Sequence, residues 1–296
     1  MSEPAAGSVP APRQEHSTRL SRRLVSHRSV VVGGTLFLVV LAAALFAGWI
    51  APYGPVGTNP DVALQPPSWS HPMGTDQFGR DVLSRVIHGA RPSLVMGVVP
   101  MLISSLVGTT LGMLVGYYGR WADLVMSRFV DIALAFPPIL LALTVVAVLG
   151  PGLWSIALAL GLSGIPFYVR MARGQVIQAK EAPFVQTAVA IGAGDFRVMF
   201  RHIIHRVIPP ILVMMTIHVA GAILAGAALS FLGLGIPPPS PEWGTMIQDG
   251  RQFIALSWWM AFFPGVALAA TVFATNLLGD GLRDVLDPRS KGEPIR

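Results

Sequence analysis

Phe184-Val-Gln-Thr-Ala-Val-Ala-Ile-Gly192, inside the polar stretch that runs from Arg170 to Arg206, decides how this chain is read. Apolar segments flank that stretch on both sides. A membrane protein that sets so long a partly charged segment between two spans, on the basic side of the bilayer, offers a docking surface there. The local signals give two helices joined by a turn. Glu181-Ala-Pro183 can open the first, because proline is tolerated in a first turn, and Val185, Ala188 and Val189 then share a face. Gly192-Ala-Gly194 can end it, with Asp195 as N-cap of the next helix. That second helix carries Phe196, Met199, Phe200, Ile203 and Val207 on one stripe and Arg197, Arg201 and His205 elsewhere. It is expected to run along the membrane base until Pro209-Pro210 opens a new span. The first helix has about two turns, fewer than the ~12–15 residues an isolated helix needs in water. Neighbours must hold it.

Composition places the flanking segments in a bilayer. The 296 residues are 53% hydrophobic and 12% charged, with a mean hydropathy of +0.61, too apolar for a soluble domain of this length. Six stretches approach the length needed to cross ~30 Å of hydrocarbon. They are Val30–Ile50, Ser93–Tyr118, Val130–Val148, Leu153–Tyr168, Ile211–Leu234 and Trp258–Leu278. The expected architecture is therefore an all-α integral membrane protein with six transmembrane helices. With a cytoplasmic N-terminus, 17 of the 21 Lys and Arg residues fall on the cytoplasmic side, and only Arg80, Arg85, Arg91 and Arg251 fall outside. That is the positive-inside asymmetry, and it accounts for the net charge of +6 without nucleic acid. No small-residue cleavage pattern follows the first apolar run, so it reads as a retained span.

The same reading divides the chain. Residues 1–29 form a cytoplasmic tail, its first fourteen expected to be disordered, and 30–50 the first span. Residues 51–92 form an extracytoplasmic, proline-rich segment, 93–280 the main membrane domain with the loop 170–208 inside it, and 281–296 a cytoplasmic tail. Near the end of the extracytoplasmic segment, Val82, Leu83, Val86 and Ile87 recur at helical spacing with Arg85 and His88 off the stripe, which predicts a short amphipathic helix on the membrane surface. Gly108, Gly112 and Gly116 form a smooth ridge along the second span, suited to close helix packing. Phe136-Pro-Pro138 should bend the third span. Trp243, Phe253, Trp258 and Trp259 flank the last span as interface anchors.

The polar loop resembles the cytoplasmic loop of permease subunits of bacterial ATP-binding-cassette importers, at Gln186, Thr187, Ala188 and Gly192, with a degraded ending at Ile203-Ile204-His205. Three further segments strengthen the likeness: His71-Pro-Met-Gly-Thr-Asp-Gln-Phe-Gly-Arg-Asp81 with Ser84-Arg85 and Gly89-Ala-Arg91; Leu229-Ser-Phe-Leu-Gly-Leu-Gly-Ile-Pro-Pro238 with Trp243-Gly244; and Gly279-Asp-Gly-Leu-Arg-Asp-Val-Leu-Asp-Pro288. Together they resemble the second, C-type permease subunit of the dipeptide, oligopeptide and nickel importer family. The resemblance implies a type I importer permease fold in the bacterial cytoplasmic membrane, a homologous permease as heterodimer partner, two cytoplasmic ATPase subunits and an extracytoplasmic substrate-binding protein. It also implies that the segment around Gln186–Gly192 is a coupling helix seated in an ATPase groove, with Phe184, Gln186, Thr187, Ala188, Gly192, Ala193 and Asp195 as its contact residues. Small residues at 187 and 188 would let the partner approach closely. Gln186 stands where the family carries an acid, and His205 where it carries a proline.

The implied cargo is short peptides, with nickel as the alternative within the family. The seven His are scattered and there is no Cys, so no thiolate or clustered metal site is legible. No Gly-x-x-x-x-Gly-Lys-Ser/Thr segment occurs and the only lysines are Lys180 and Lys291. The chain thus holds no cofactor of its own, and ATP and magnesium belong to partner subunits. Two other classes have a foothold. An intramembrane serine protease could use Ser163, in Gly161-Leu-Ser-Gly164, with His218 as base. A proton-coupled carrier would need mid-membrane carboxylates, whereas Asp131 and Asp280 fall near span ends.

Overall fold

A computed structural model describes residues 27–286. The expectations for residues 1–26 and 287–296 lie outside the described residues. The main helices, apart from the single turns Ala47–Ile50 and Pro60–Val62, are α1 Arg28–Leu45, α2 Val82–Tyr118, α3 Arg120–Ala135, α4 Pro138–Leu149, α5 Leu153–Lys180, α6 Pro183–Ala190, α7 Asp195–Leu234, α8 Trp243–Arg251 and α9 Trp259–Leu286. Among the described residues there is no strand, only an isolated bridge between Thr75 and Asp81. Five helices are long and apolar enough to cross a membrane, and the bent α3–α4 pair makes six if it is one span.

The bend follows from Phe136-Pro-Pro138. Two successive prolines lack N–H donors, so α3 stops at Ala135 and α4 restarts with Pro138 in its first turn. The two axes meet at 90°, a break far sharper than a kinked straight span. Asp123 and Asp131 tie the polar edge of α3 to Arg173 and Arg170 of α5.

The glycine ridge seats α5 on α2. A Cβ at Gly108 would lie 2.6 Å from the Cβ of Tyr168, and one at Gly116 3.0 Å from the carbonyl oxygen of Arg173. The ridge is a helix-packing surface of this chain. Helix α5 continues past Tyr168 to Lys180, because its polar end is supported by α3 and by the cluster under α6.

Three expectations are corrected here. Pro209-Pro210 does not start a helix: both prolines lie inside α7, which runs from Asp195 through two π-helical stretches before it kinks at Gly233. The stretch after Asp81 is not a separate surface helix. It is the start of α2, with Val82, Ser84, Arg85 and Val86 buried. The helical period was legible, but the Arg85 side chain turns inward because it has partners: it donates to the Pro55 and Pro239 carbonyls at 2.9 and 3.2 Å and lies 3.6 Å from Asp76. Finally, Trp243 and Trp259 are buried rather than interfacial. Their indole N–H groups donate to the Val86 and Thr75 carbonyls, as a buried Trp requires.

Those contacts belong to a polar knot between α1 and α2. Asp81 caps α2 by accepting from the Ser84 N–H at 2.8 Å, and its other oxygen meets His71 Nδ1 at 3.0 Å. Asp76 accepts from the Arg80 Nε at 2.6 Å. Glu242 caps α8, accepting from the Gly244 and Thr245 N–H groups at 2.7 and 2.9 Å. It is fully buried, and burial raises its carboxyl above the usual carboxylate range, with the two N–H donors opposing. A long proline-rich segment is ordered in this way by buried, paired charge rather than by regular structure.

Candidate functional site

Helix α6 is two turns long and stands between two long helices. Pro183 opens it and Ile191 is its C-cap. Gly192 follows at φ +86°, the left-handed region that favours glycine. Its N–H donates to the Val189 carbonyl and the Ala193 N–H to the Ala188 carbonyl, both at 3.0 Å. These two bonds make a Schellman ending, so the glycine signal in the sequence had a definite geometric cause.

One face of α6 is anchored. Val185 and Ala188 are buried against Ala179, Val198, Ile203 and Val207, with Ala193 packed on the same cluster. Ala188, expected to let a partner approach, packs into this chain's own core. Val189, expected on the anchored face, is exposed. Asp195 is not an N-cap either. Gly194 holds that position, and the Asp195 carboxylate accepts from the Tyr117 hydroxyl at 2.8 Å. Lys180 donates to the Tyr117 carbonyl at 2.7 Å and Arg206 lies 5.1 Å over the Phe184 ring. Tyr117 at the end of α2 thus ties the end of α5 to the start of α7, and α6 is seated on those two.

Apart from Arg206 over the Phe184 ring, the other face is left open by this chain. Phe184, Gln186, Thr187, Val189, Ile191 and Gly192 are exposed, Ile191 at 80%. Thr187 already bonds the Pro183 carbonyl at 2.9 Å and Gln186 the Glu181 carbonyl at 3.3 Å, so what remains to be satisfied is apolar area. Nothing lies within 4 Å of a Cβ placed at Gly192. Next to this face, Phe196 and Phe200 stack at 4.5 Å and are exposed, although their stripe pointed to burial; Met199, Ile203 and Val207 alone turn inward. Sequence reasoning missed Val189 and Ile191 as surface and Tyr117, Lys180 and Arg206 as supports. Tyr117 lies 78 positions from Asp195, and no local pattern links them.

Residues 108–292 match the family described as "Binding-protein-dependent transport system inner membrane component", and residues 18–67 match "N-terminal TM domain of oligopeptide transport permease C". The chain belongs to this family of inner-membrane transport components. It is 43% identical over 270 residues to the dipeptide transport system permease protein DppC of Alkalihalophilus pseudofirmus, covering 91% of this chain and 89% of the relative. A di/tripeptide transport system permease protein DppC of Pseudomonas aeruginosa is 43% identical over 273 residues, 90% of each chain. A glutathione transport system permease protein GsiD of Pectobacterium atrosepticum is 40% identical over 271 residues, 91% of this chain and 90% of the relative. The chain is accordingly a multi-pass inner-membrane component with the type I importer permease fold, and its N-terminal match places it with the C-type subunits.

The protease geometry is not assembled. The Ser163 hydroxyl donates to the Leu160 carbonyl of its own helix at 2.9 Å, while His218 Nδ1 pairs with the Tyr168 hydroxyl at 3.2 Å. Asp131, which falls near a span end, is paired with Arg170. Among the described residues no cluster of three or more His, Asp or Glu could hold a metal ion.

Proposed function

We propose that this chain forms half of the translocation pathway of an ATP-driven importer of short peptides and is not itself a catalyst. The peptide names of its relatives favour peptides over nickel. Its partners in this reading are a homologous permease subunit, two cytoplasmic ATPase subunits that carry the ATP and magnesium, an extracytoplasmic binding protein and membrane lipid, with no nucleic acid. Both termini and α6 face the cytoplasm, following the distribution of Lys and Arg.

The observation that carries the coupling role is the two-sidedness of α6. A helix too short to stand alone is locked to its own chain through Val185 and Ala188 and presents Phe184, Val189, Ile191 and Gly192 outward. ATPase dimerisation would move that surface, and the lock would pass the motion to α2, α5 and α7. Shifting a two-state equilibrium from 1:99 to 99:1 takes about 5.5 kcal/mol of differential binding, so the seat must be rigid. Gly192→Arg is the test. A Cβ there meets nothing within 4 Å in this chain, and the left-handed backbone costs a non-glycine residue about 1–2 kcal/mol. Membrane insertion and pairing with the partner permease should survive while peptide uptake and binding-protein-stimulated ATP hydrolysis collapse. Gln186→Glu should be tolerated. Wild-type ATP hydrolysis and ATPase retention in the Gly192→Arg complex would remove α6 from the coupling role.

A further inference from the structure

A cavity of about 830 Å³ lies in front of α7, lined also by the α5 end beside α6 and by Arg283 of α9. Helix α7 packs on α5, α9 and α2 and supplies most of the residues that line the hollow, so it forms the floor of a concave wall. The floor is apolar, with Met214 and Ile217 along α7. Its rim is polar, and every ionisable lining residue is basic: His205, Arg206 and Arg283, with Gln175 and Gln178 beside them. Among the described residues no acid lines the hollow, Asp280 and Asp284 included. Arg206 lies over the Phe184 ring, a contact that leaves its charge unneutralised.

We infer that this hollow is a carboxylate-binding wall of the inward-facing chamber, at which Arg283 and Arg206 engage the terminal and side-chain carboxylates of a peptide in transit. The inference rests on the peptide-importer reading above. An apolar floor with a few convergent polar groups at the rim is the usual form of a small-molecule site. A concave wall of one charge sign raises the local concentration of the opposite charge. Planar guanidinium groups match carboxylates in two-point contacts, while the apolar floor accepts side chains of any shape. Such a wall would take peptides of varied sequence and discriminate by charge.

The test uses the whole importer without ATP, with a photo-crosslinking phenylalanine analogue in place of Met214. Ala-Glu and its uncharged counterpart Ala-Gln, both radiolabelled, are the probes. Ala-Glu should be captured several-fold more than Ala-Gln, and Arg283→Gln should remove most of that excess. Gln178→Glu, an exposed position that carries little folding risk, should shrink the excess in the same direction, and Arg283→Glu should bring Ala-Lys above Ala-Glu. Equal capture of Ala-Glu and Ala-Gln would overturn the inference, as would an excess indifferent to all three variants, or capture of phosphatidylglycerol alone. Uptake by the wild-type complex separates the two levels. Peptide uptake without charge-dependent capture defeats only the wall, whereas absence of uptake for every peptide defeats the importer reading and the wall with it.

Discussion

Replacing Gly112 by alanine adds one methyl group where α2 and α5 are in backbone contact. The new Cβ would lie 2.5 Å from the Val169 carbonyl oxygen and 2.8 Å from the Ala172 Cβ. Ordinary contact begins at 3.4 Å, so the helices must separate by about 0.9 Å along a ridge where Gly108 and Gly116 are nearly as tight. The obstruction is main chain and cannot rotate away. Overpacking of this kind costs about 1–3 kcal/mol. Gly174, in the same helix pair on α5, has nothing within 4 Å of a Cβ. Gly174→Ala should therefore stabilise by about 0.5–1 kcal/mol, the helix-interior advantage of alanine over glycine. The identical chemical change should thus have opposite signs at two nearby positions. Unfolding of the purified complex by SDS, starting from a mild detergent, would measure both. If Gly112→Ala proved as stable as Gly174→Ala, the close approach of α2 and α5 would be wrong.

Burial raises the Glu242 carboxyl in the folded state, so its ionisation favours unfolding. Stability should fall as pH rises from about 4.3, the unfolded value, and level off above the folded value; Glu242→Gln should abolish this component in SDS unfolding measured across pH. Double-mutant cycles should separate the two α3–α5 ion pairs. Arg170–Asp131, more than half exposed on both sides, should couple by at most about 1 kcal/mol, and Arg173–Asp123, at 33% and 26% exposure, by more. Because the chain has no cysteine, single cysteines report orientation without background. Those at Ser70 and Ser240 should react with an impermeant thiol reagent on intact cells and one at Gln178 should not; labelling of position 178 would reverse the assigned sidedness.

The sequence by itself determined the class of this protein, because crossing a bilayer depends on summed apolarity and on the distribution of Lys and Arg, which are additive along the chain. It also determined the local breaks. Pro137-Pro138 removes donors and Gly192 alone fits a left-handed helix end, and neither effect needs a distant partner. What faced inward was decided only by the tertiary structure. Arg85 lies off the apolar helical stripe as a surface residue would, yet it is buried because Asp76 and two carbonyls from distant loops receive it. Ala188 and Val189 are neighbours of similar character, and the cluster formed by α5 and α7 buries one and leaves the other exposed. Pro209-Pro210 has the composition of a helix start, but α7 continues through it with its buried edge, Ile203, Val207 and Ile211, held against that same cluster. In each case partners brought in from elsewhere in the chain outweighed a local preference of about a kcal/mol, and a linear pattern carries no record of them.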